Sequence, residues 1–141
     1  MKKFVASSLI IMLVLMSLVG CGNEANKSGG GDKPGKGHEI ALITDKGNID
    51  DKSFNQGSWE GVVAFAEKEN ISHTYIKPEE ASDAGYLAAI DLAVQGGAKV
   101  VVTPGFLFEV PIYEAQTKYP DVKFILLDGS PHPADSFDAD I

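Results

Sequence analysis

The segment KVVVTPGFLFEVPIYEAQTKYPDVKFILLDG, residues 99–129, decides the fold. Its two apolar runs, 99–103 and 123–127, are nearly continuous in valine, isoleucine and leucine, as buried parallel strands require. The stretch between them, about 107–118, predicts a helix and tolerates Pro111 in the first turn, where the missing N–H has no helical partner. This spacing predicts a right-handed crossover between two parallel strands.

The same alternation extends toward the N-terminus. Two further strands are predicted at 40–44 and 73–76, and two further helices at about 54–69 and 83–96. The first helix places an apolar stripe on one face, and the second ends at a glycine pair typical of a C-cap (Phe54, Val62, Phe65 and Ala66; Gly96 and Gly97). The order βαβαβαβ predicts an α/β fold with a doubly wound parallel sheet covered by helices on both faces.

Ligands of such folds bind at the carboxyl ends of the strands, where the direction of winding reverses. In the strand order 2-1-3-4 this point lies between the first and third strands. The loop after the first strand, ITDKGNIDDKSFNQGSWEG at 43–61, should therefore face the loops after the third and fourth strands. Gly105 in the third loop would let backbone approach a ligand closely, whereas Phe106 and Phe108 are better explained as packing for the third helix.

The carboxylates of these loops allow two interpretations. Asp45 and Asp128 follow strands directly and are placed to accept hydrogen bonds from N–H or hydroxyl groups of a neutral ligand. Asp50 and Asp51 are typical of a solvated turn near a helix N-terminus. A magnesium site or an aspartyl nucleophile would need an anion-binding motif that the sequence lacks. The three histidines have no metal-binding spacing, so the sequence predicts no metal, no cofactor and no enzymatic activity.

The residues that open the first helix also have alternatives. Ser53 and Gln56 have the spacing of a capping box. Phe54 either extends the apolar stripe into the core or overhangs the crevice and stacks on a planar ligand. In the second case Asn55 would offer a donor and an acceptor beside the ring.

Two segments together resemble the basic membrane protein family of solute-binding lipoproteins, namely ALITDKGNIDDKSFNQGSWEG at 41–61 and VVVTPGFLFEVPIYEAQTKYPDVKFILLDG at 100–129. The resemblance implies a type I periplasmic binding-protein fold, in which two α/β lobes close on a ligand. It also implies a purine nucleoside as ligand and an ABC transporter permease as partner. Because the sequence stops soon after the fourth strand, the resemblance predicts an incomplete N-terminal lobe that carries half of the binding site.

Carried over residue by residue, the family pattern implies that Phe54 stacks on the base while Asn55 and Asp128 hydrogen-bond its ring edge. Asp45 is implied as a further polar contact in the same pocket, and Ser53 as a residue that lines it. The ligand-binding prediction therefore comprises Asp45, Ser53, Phe54, Asn55, Gly105 and Asp128.

The N-terminus is typical of an exported lipoprotein. Two lysines and an apolar run, residues 4–20, form a predicted signal peptide over 1–20. The run ends in LVGC, which resembles a lipobox and predicts lipidation of Cys21. Residues 21–38, rich in glycine, lysine and serine, are predicted to be a flexible tether that precedes the α/β lobe at 39–141. This organisation predicts a protein anchored by lipid at the extracytoplasmic face of the cell membrane.

The charge of the chain limits the classes of molecule that it can bind. The formal net charge is −8 and every basic residue other than histidine is lysine, which argues against nucleic acid. An acidic crevice favours a nucleoside over a nucleotide. Three alternatives stay open at this stage: a binding protein for another aromatic solute such as a flavin-like vitamin or modified purine, a surface interaction lipoprotein, and a magnesium-dependent phosphohydrolase using Asp45 or Asp50.

Overall fold

A computed structural model describes residues 37–137 as an α/β fold. The predicted signal peptide, Cys21 and the tether up to residue 36 lie outside the described residues. Four strands alternate with three helices: β1 (Ile40–Ile43), α1 (Phe54–Glu69), β2 (His73–Ile76), α2 (Asp83–Gln95), β3 (Val100–Pro104), α3 (Glu109–Lys118) and β4 (Lys123–Leu127). Short 3-10 turns occupy Phe106–Phe108 and Ala134–Phe137.

The strands form one parallel sheet in the order β2-β1-β3-β4. Each predicted strand is present within one residue of its predicted bounds, and the winding reverses between β1 and β3 as expected. Leu42 pairs with Val102, and Pro104 pairs with Leu127, so the strands end at a common edge. The predicted doubly wound fold is confirmed.

Both faces of the central strands are covered by helices, which explains why β1 is buried along its whole length. On one face, α2, the 3-10 turn at Phe106–Phe108 and α3 pack over the sheet through Tyr86, Ile90, Phe108 and Ile112. On the other face, α1 packs through Val62 and Ala66 against Leu42 and Val102. The two cores fix the positions of the helix N-termini beside the carboxyl ends of the strands.

The predicted apolar stripe of the first helix is partly wrong. Val62 and Ala66 are buried, but Phe54 and Phe65 are 45% and 54% exposed. The third buried residue of the helix is Asn55, which the predicted stripe did not include. At about 100° per residue, Asn55, Val62 and Ala66 fall within a narrow arc, whereas both phenylalanines lie about 80 to 100° away from its centre. Phe54 is therefore not a core residue.

The prediction that the fourth strand is buried is also wrong in part. Lys123 is exposed, and Ile125 is 45% exposed. β4 is one of the two edge strands of the described sheet, and α1 packs mainly against the other three strands. The α3 side of β4 is better covered, because Phe124 and Leu126 pack against the core beneath α2 and α3.

The helix boundaries follow the predicted signals. α2 ends at Gln95, after which the Gly97 N–H donates to the Val94 carbonyl at 3.0 Å and Gly97 adopts a φ of 96°. Pro111 lies in the first turn of α3, as predicted. The described part of the chain, residues 37–137, holds no helix with the length and apolar character needed to cross a bilayer.

Candidate functional site

Three loops meet the carboxyl edge of the sheet. They follow β1, β3 and β4, and they carry Asp45, Gly105 and Asp128 at or next to their first position. The parallel pairing of β1 with β3 and of β3 with β4 places these loops side by side. The structure thus brings the predicted carboxylates and the predicted glycine to one rim of the domain.

Asp45 is held by donors from its own loop and from α1. Its Oδ1 accepts hydrogen bonds from the Gly47 N–H at 2.6 Å and from Asn55 Nδ2 at 2.7 Å. Among residues 37–137, the hydrogen bonds that this carboxylate accepts are all accepted by Oδ1. Because the side chain is half-buried, Oδ2 is the oxygen that can accept from a ligand.

Asn55 does not face the crevice, and that prediction is corrected. Its side chain is 2% exposed. Nδ2 donates to Asp45 Oδ1 and also to Asp51 Oδ2, the latter at 2.9 Å, while Oδ1 accepts from the Asp45 N–H at 3.1 Å. Both N–H groups of the amide are therefore satisfied inside the protein, and neither is left for a ligand.

The capping-box prediction is wrong in its partners. Ser53 is the N-cap of α1 but makes no side-chain cap. The Asp51 carboxylate takes this role, since it accepts from the backbone N–H groups of Ser53 at 2.8 Å, Gln56 at 3.2 Å and Asn55 at 3.3 Å. Gln56 reaches back to the Lys52 N–H at 3.0 Å. The Ser53 side chain is exposed at the same edge and stays available as a pocket residue.

Hydrogen bonding shifts the pKa of Asp51. Burial raises the pKa of its carboxyl, but the donors on Ser53, Gln56 and Asn55 outweigh burial, and the pKa lies below the ordinary value of 3.8. Asp51 thus caps the helix N-terminus, which agrees with its predicted interaction with the helix dipole but not with a fully solvated turn. Asp50 is exposed, as predicted.

The lowered pKa of Asp51 predicts acid sensitivity. Because the folded-state pKa is below the unfolded one, this carboxylate stabilises the fold above about pH 4, and its contribution is lost as the pH falls through the folded-state value. Asp51→Asn should lower the free energy of unfolding at pH 7 and should lose less stability than the wild type on acidification. Urea unfolding at neutral and acidic pH measures both effects, with Asp50→Asn as the matched control. Equal acid losses in the Asp51 variant and the wild type would contradict this role.

Phe54 is the first residue of α1 and presents its ring at the carboxyl edge. With 45% of its surface exposed, the ring is not used for packing the core, which was one of its two predicted roles. An exposed phenyl ring at this position offers an apolar face to a planar ligand. The geometry is compatible with the second role, stacking in the crevice.

Gly105 and Asp128 shape the two neighbouring loops. Gly105 has a φ of 106°, a conformation that favours glycine, and a Cβ built there would meet no atom within 4 Å. The open space above Gly105 leaves room for close approach by a ligand. Asp128 is exposed and lies in the left-handed region with a φ of 58°, which aspartate tolerates better than most residues.

The two phenylalanines after Gly105 divide between the core and the surface. Phe108 is completely buried, and its ring centroid lies 4.4 Å from that of Tyr86. Phe106 is 66% exposed. The prediction of packing roles holds for Phe108 only, because the 3-10 turn that starts the third helical segment points its first ring outward.

Several site features had weak signals in the sequence. The spacing of four between Asp51 and Asn55 fits one helical turn, and Asp51 precedes Ser53 by two, as in an Asx turn.

The environment of Tyr86 had no signal in the sequence. Its buried hydroxyl has no partner among residues 37–137, and its pKa is raised by burial and by the charges of Asp45 and Asp83. Among the same described residues no cluster of carboxylates, histidines or cysteines could hold a metal ion.

Known proteins match the same region. Residues 38–134 match the family described as Bmp, ABC transporter substrate-binding protein PnrA-like. A CD4+ T-cell-stimulating antigen of Listeria innocua is 30% identical over 136 residues, which cover 91% of this chain and 38% of the antigen. The ABC transporter nucleoside-binding protein BmpA of Lactococcus lactis is 29% identical over 131 residues, which cover 90% of this chain and 36% of BmpA.

A lipoprotein of Pyrococcus horikoshii whose name describes it as uncharacterized is 35% identical over 136 residues, covering 92% of this chain and 32% of the lipoprotein. The chain thus spans between 32% and 38% of the length of these three relatives.

Proposed function

Because the chain belongs to the Bmp family of PnrA-like ABC transporter substrate-binding proteins, we propose that it provides one wall of a binding site for a purine nucleoside. This family membership agrees with the resemblance drawn from the motifs of residues 41–61 and 100–129. Solute binding is the role of the family, and the nucleoside is our proposal for this chain. The name of the Lactococcus lactis relative, a nucleoside-binding protein, supports that choice.

The observation that carries the proposal is an exposed aromatic ring at the start of α1 and a carboxylate, Asp45, held by two donors in the loop that leads to it. Phe54 offers its face to a base, and Asp45 Oδ2 and the exposed Asp128 carboxylate can accept from ring N–H groups. A Cβ at Gly105 would meet open space, and the Ser53 side chain is exposed at the start of α1. A neutral nucleoside suits such a site, whereas the phosphate of a nucleotide would be repelled by the carboxylates.

Transport is the wider role that we propose. The relatives extend well beyond the length of this chain, so we place the opposing wall of the pocket and the ribose-binding groups in a second lobe. Closure of two lobes on the nucleoside would stabilise the closed state through contacts made only there. The closed protein would deliver the nucleoside to an ABC permease without any chemical change, so the proposed protein is not an enzyme.

The membrane anchor is part of the same proposal. Cys21 in the LVGC motif would carry the lipid, and residues up to 38 would tether the lobe at the extracytoplasmic face. The lipoprotein name of the Pyrococcus horikoshii relative supports this arrangement. A Cys21→Ser variant should leave the membrane fraction of the producing cell, and unchanged membrane association would contradict the lipid anchor.

Binding of a panel of solutes tests the proposed function. The protein expressed from its complete reading frame should gain thermal stability with increasing adenosine, guanosine or inosine, because a ligand that binds only the folded state raises the unfolding temperature. Ribose and amino acids serve as controls that lack the aromatic base. Stabilisation by riboflavin alone would replace the nucleoside with a flavin-like solute, and no stabilisation by any of these compounds would contradict solute binding at this edge.

A further inference from the structure

The amide of Asn55 connects the loop after β1 to the first turn of α1. It donates to Asp45 Oδ1 at 2.7 Å and to Asp51 Oδ2 at 2.9 Å, and it accepts from the Asp45 N–H at 3.1 Å. Carboxylates need donors and a backbone N–H needs an acceptor, so the partners fix the orientation of the amide. Every polar atom of the side chain is used, and the residue is 2% exposed.

This arrangement determines which oxygen of Asp45 is available. Oδ1 is fixed between Asn55 Nδ2 and the Gly47 N–H, while the backbone N–H of Asp45 is fixed by Asn55 Oδ1. Two contacts from one amide therefore restrain both the main chain and the carboxylate of Asp45. A carboxylate restrained in this way has already lost the rotational freedom that ligand binding would otherwise cost.

We propose that Asn55 is a positioning residue, which holds the Asp45 carboxylate so that Oδ2 accepts from an N–H or O–H group of the ligand, and that Asp51 in turn holds Asn55. The proposal rests on the proposed nucleoside site and assigns Asn55 a part in it without ligand contact. Asp51 is well suited to the role, since its hydrogen bonds with the first turn of α1 fix it to the helix.

The choice of asparagine has an electrostatic reason. Its Nδ2 lies between two carboxylates, and a neutral amide can donate to both of them while separating their charges. An aspartate at the same position could donate to neither when ionised and would add a third negative charge. The position therefore requires a short side chain that is both neutral and a double donor.

The lack of room for a side chain at Gly47 supports the positioning role of Asn55. A Cβ at this position would lie 2.6 Å from Asn55 Nδ2 and 3.0 Å from Asp45 Oδ1. Because Asn55 is buried, its amide has little room to move away, so even a methyl group at Gly47 would displace the contact between Asn55 and Asp45.

A double-mutant cycle separates positioning from direct contact. The dissociation constant of a purine nucleoside is measured calorimetrically for the complete protein, for Asn55→Ala, for Asp45→Ala and for the double variant. Asn55→Ala should weaken binding about five- to tenfold in the wild-type background, the effect of about one lost hydrogen bond of ordinary strength. It should have less than about a twofold effect once Asp45 is alanine, because the carboxylate that it positions is then absent.

Equal losses in both backgrounds would overturn the proposal, because Asn55 would then act independently of Asp45. Unchanged binding in Asn55→Ala would overturn it as well. Asn48→Ala, which changes an exposed asparagine of the same loop, is the matched control and should bind as the wild type does. If Asn55→Ala does not fold, Gly47→Ala takes its place in the cycle, and the same coupling with Asp45→Ala is expected.

Hydrogen exchange distinguishes this proposal from the proposed function. In Asn55→Ala, the amide proton of Asp45 should lose protection, since its acceptor is removed, while the Asn70 amide at the far end of α1, which donates to Glu67, should keep its protection. If the Asp45 amide loses protection in this way but the protein binds no nucleoside, Asn55 still positions Asp45 and the nucleoside proposal is wrong. Unchanged protection of the Asp45 amide would reject the positioning role, whatever the protein binds.

Discussion

Replacing Phe54 by alanine should weaken nucleoside binding by about 1 to 3 kcal/mol, or roughly 5- to 150-fold in the dissociation constant. The expectation follows from the loss of an aromatic face on which a base can stack. Because the ring is 45% exposed and lies outside both cores, the variant should remain folded, with a free energy of unfolding close to that of the wild type. Calorimetric titration and urea unfolding of the complete protein measure the two quantities.

Phe65 provides the matched control for Phe54. It is also an exposed phenylalanine of α1, at 54%, and it lies on the same side of the helix, about 11 residues or 16 Å further from the carboxyl edge. Phe65→Ala should leave nucleoside binding unchanged. If both variants lost the same affinity, or if Phe54→Ala lowered stability without changing affinity, the stacking role of Phe54 would be wrong.

Replacing Phe108 by alanine should lower the free energy of unfolding by about 3 to 5 kcal/mol. The ring is completely buried, contacts the Tyr86 ring at a centroid distance of 4.4 Å and belongs to the core beneath α2 and α3. Truncation would remove its burial and leave a cavity that the surrounding helices can fill only in part. For a domain of about 100 residues this loss is a large share of the total stability, so part of the population should be unfolded at 37 °C.

Phe106 provides the control, since it lies two residues away and is 66% exposed. Phe106→Ala should change the free energy of unfolding by less than about 0.5 kcal/mol. Equilibrium unfolding in urea compares the two variants. Similar stabilities for both would mean that the ring of Phe108 is not in the core and that the packing of the third helical segment is wrong.

The fold could be predicted because its signals are local and repeated. Apolar runs of four or five residues, separated by helical stretches of suitable length, specify a parallel sheet with little ambiguity. The errors in the prediction arose where burial depends on a neighbour that sequence does not reveal. Ile125 has the side chain of a buried strand residue, yet it is exposed because β4 lies at an edge of the sheet and α1 packs mainly over the other three strands.

The site was predictable in its location and less so in its contacts. Strand ends specify where Asp45, Gly105 and Asp128 lie, because topology alone places them at one edge. The roles of Asp51 and Asn55 depend on side-chain geometry within the loop. Their polar atoms had several possible partners, and only the three-dimensional path of residues 45–55 selects between a ligand contact and an internal one.

A crystal structure of the complete protein with a bound purine nucleoside would show whether the base stacks on Phe54. We expect a base stacked on the Phe54 ring at about 3.5 Å, with Asp45 Oδ2 and the Asp128 carboxylate within about 3 Å of donors on the ligand. The Asn55 amide should still contact Asp45 and Asp51. A nucleoside bound away from this edge, or one that leaves Phe54 and Asp45 without contact, would contradict the proposed site.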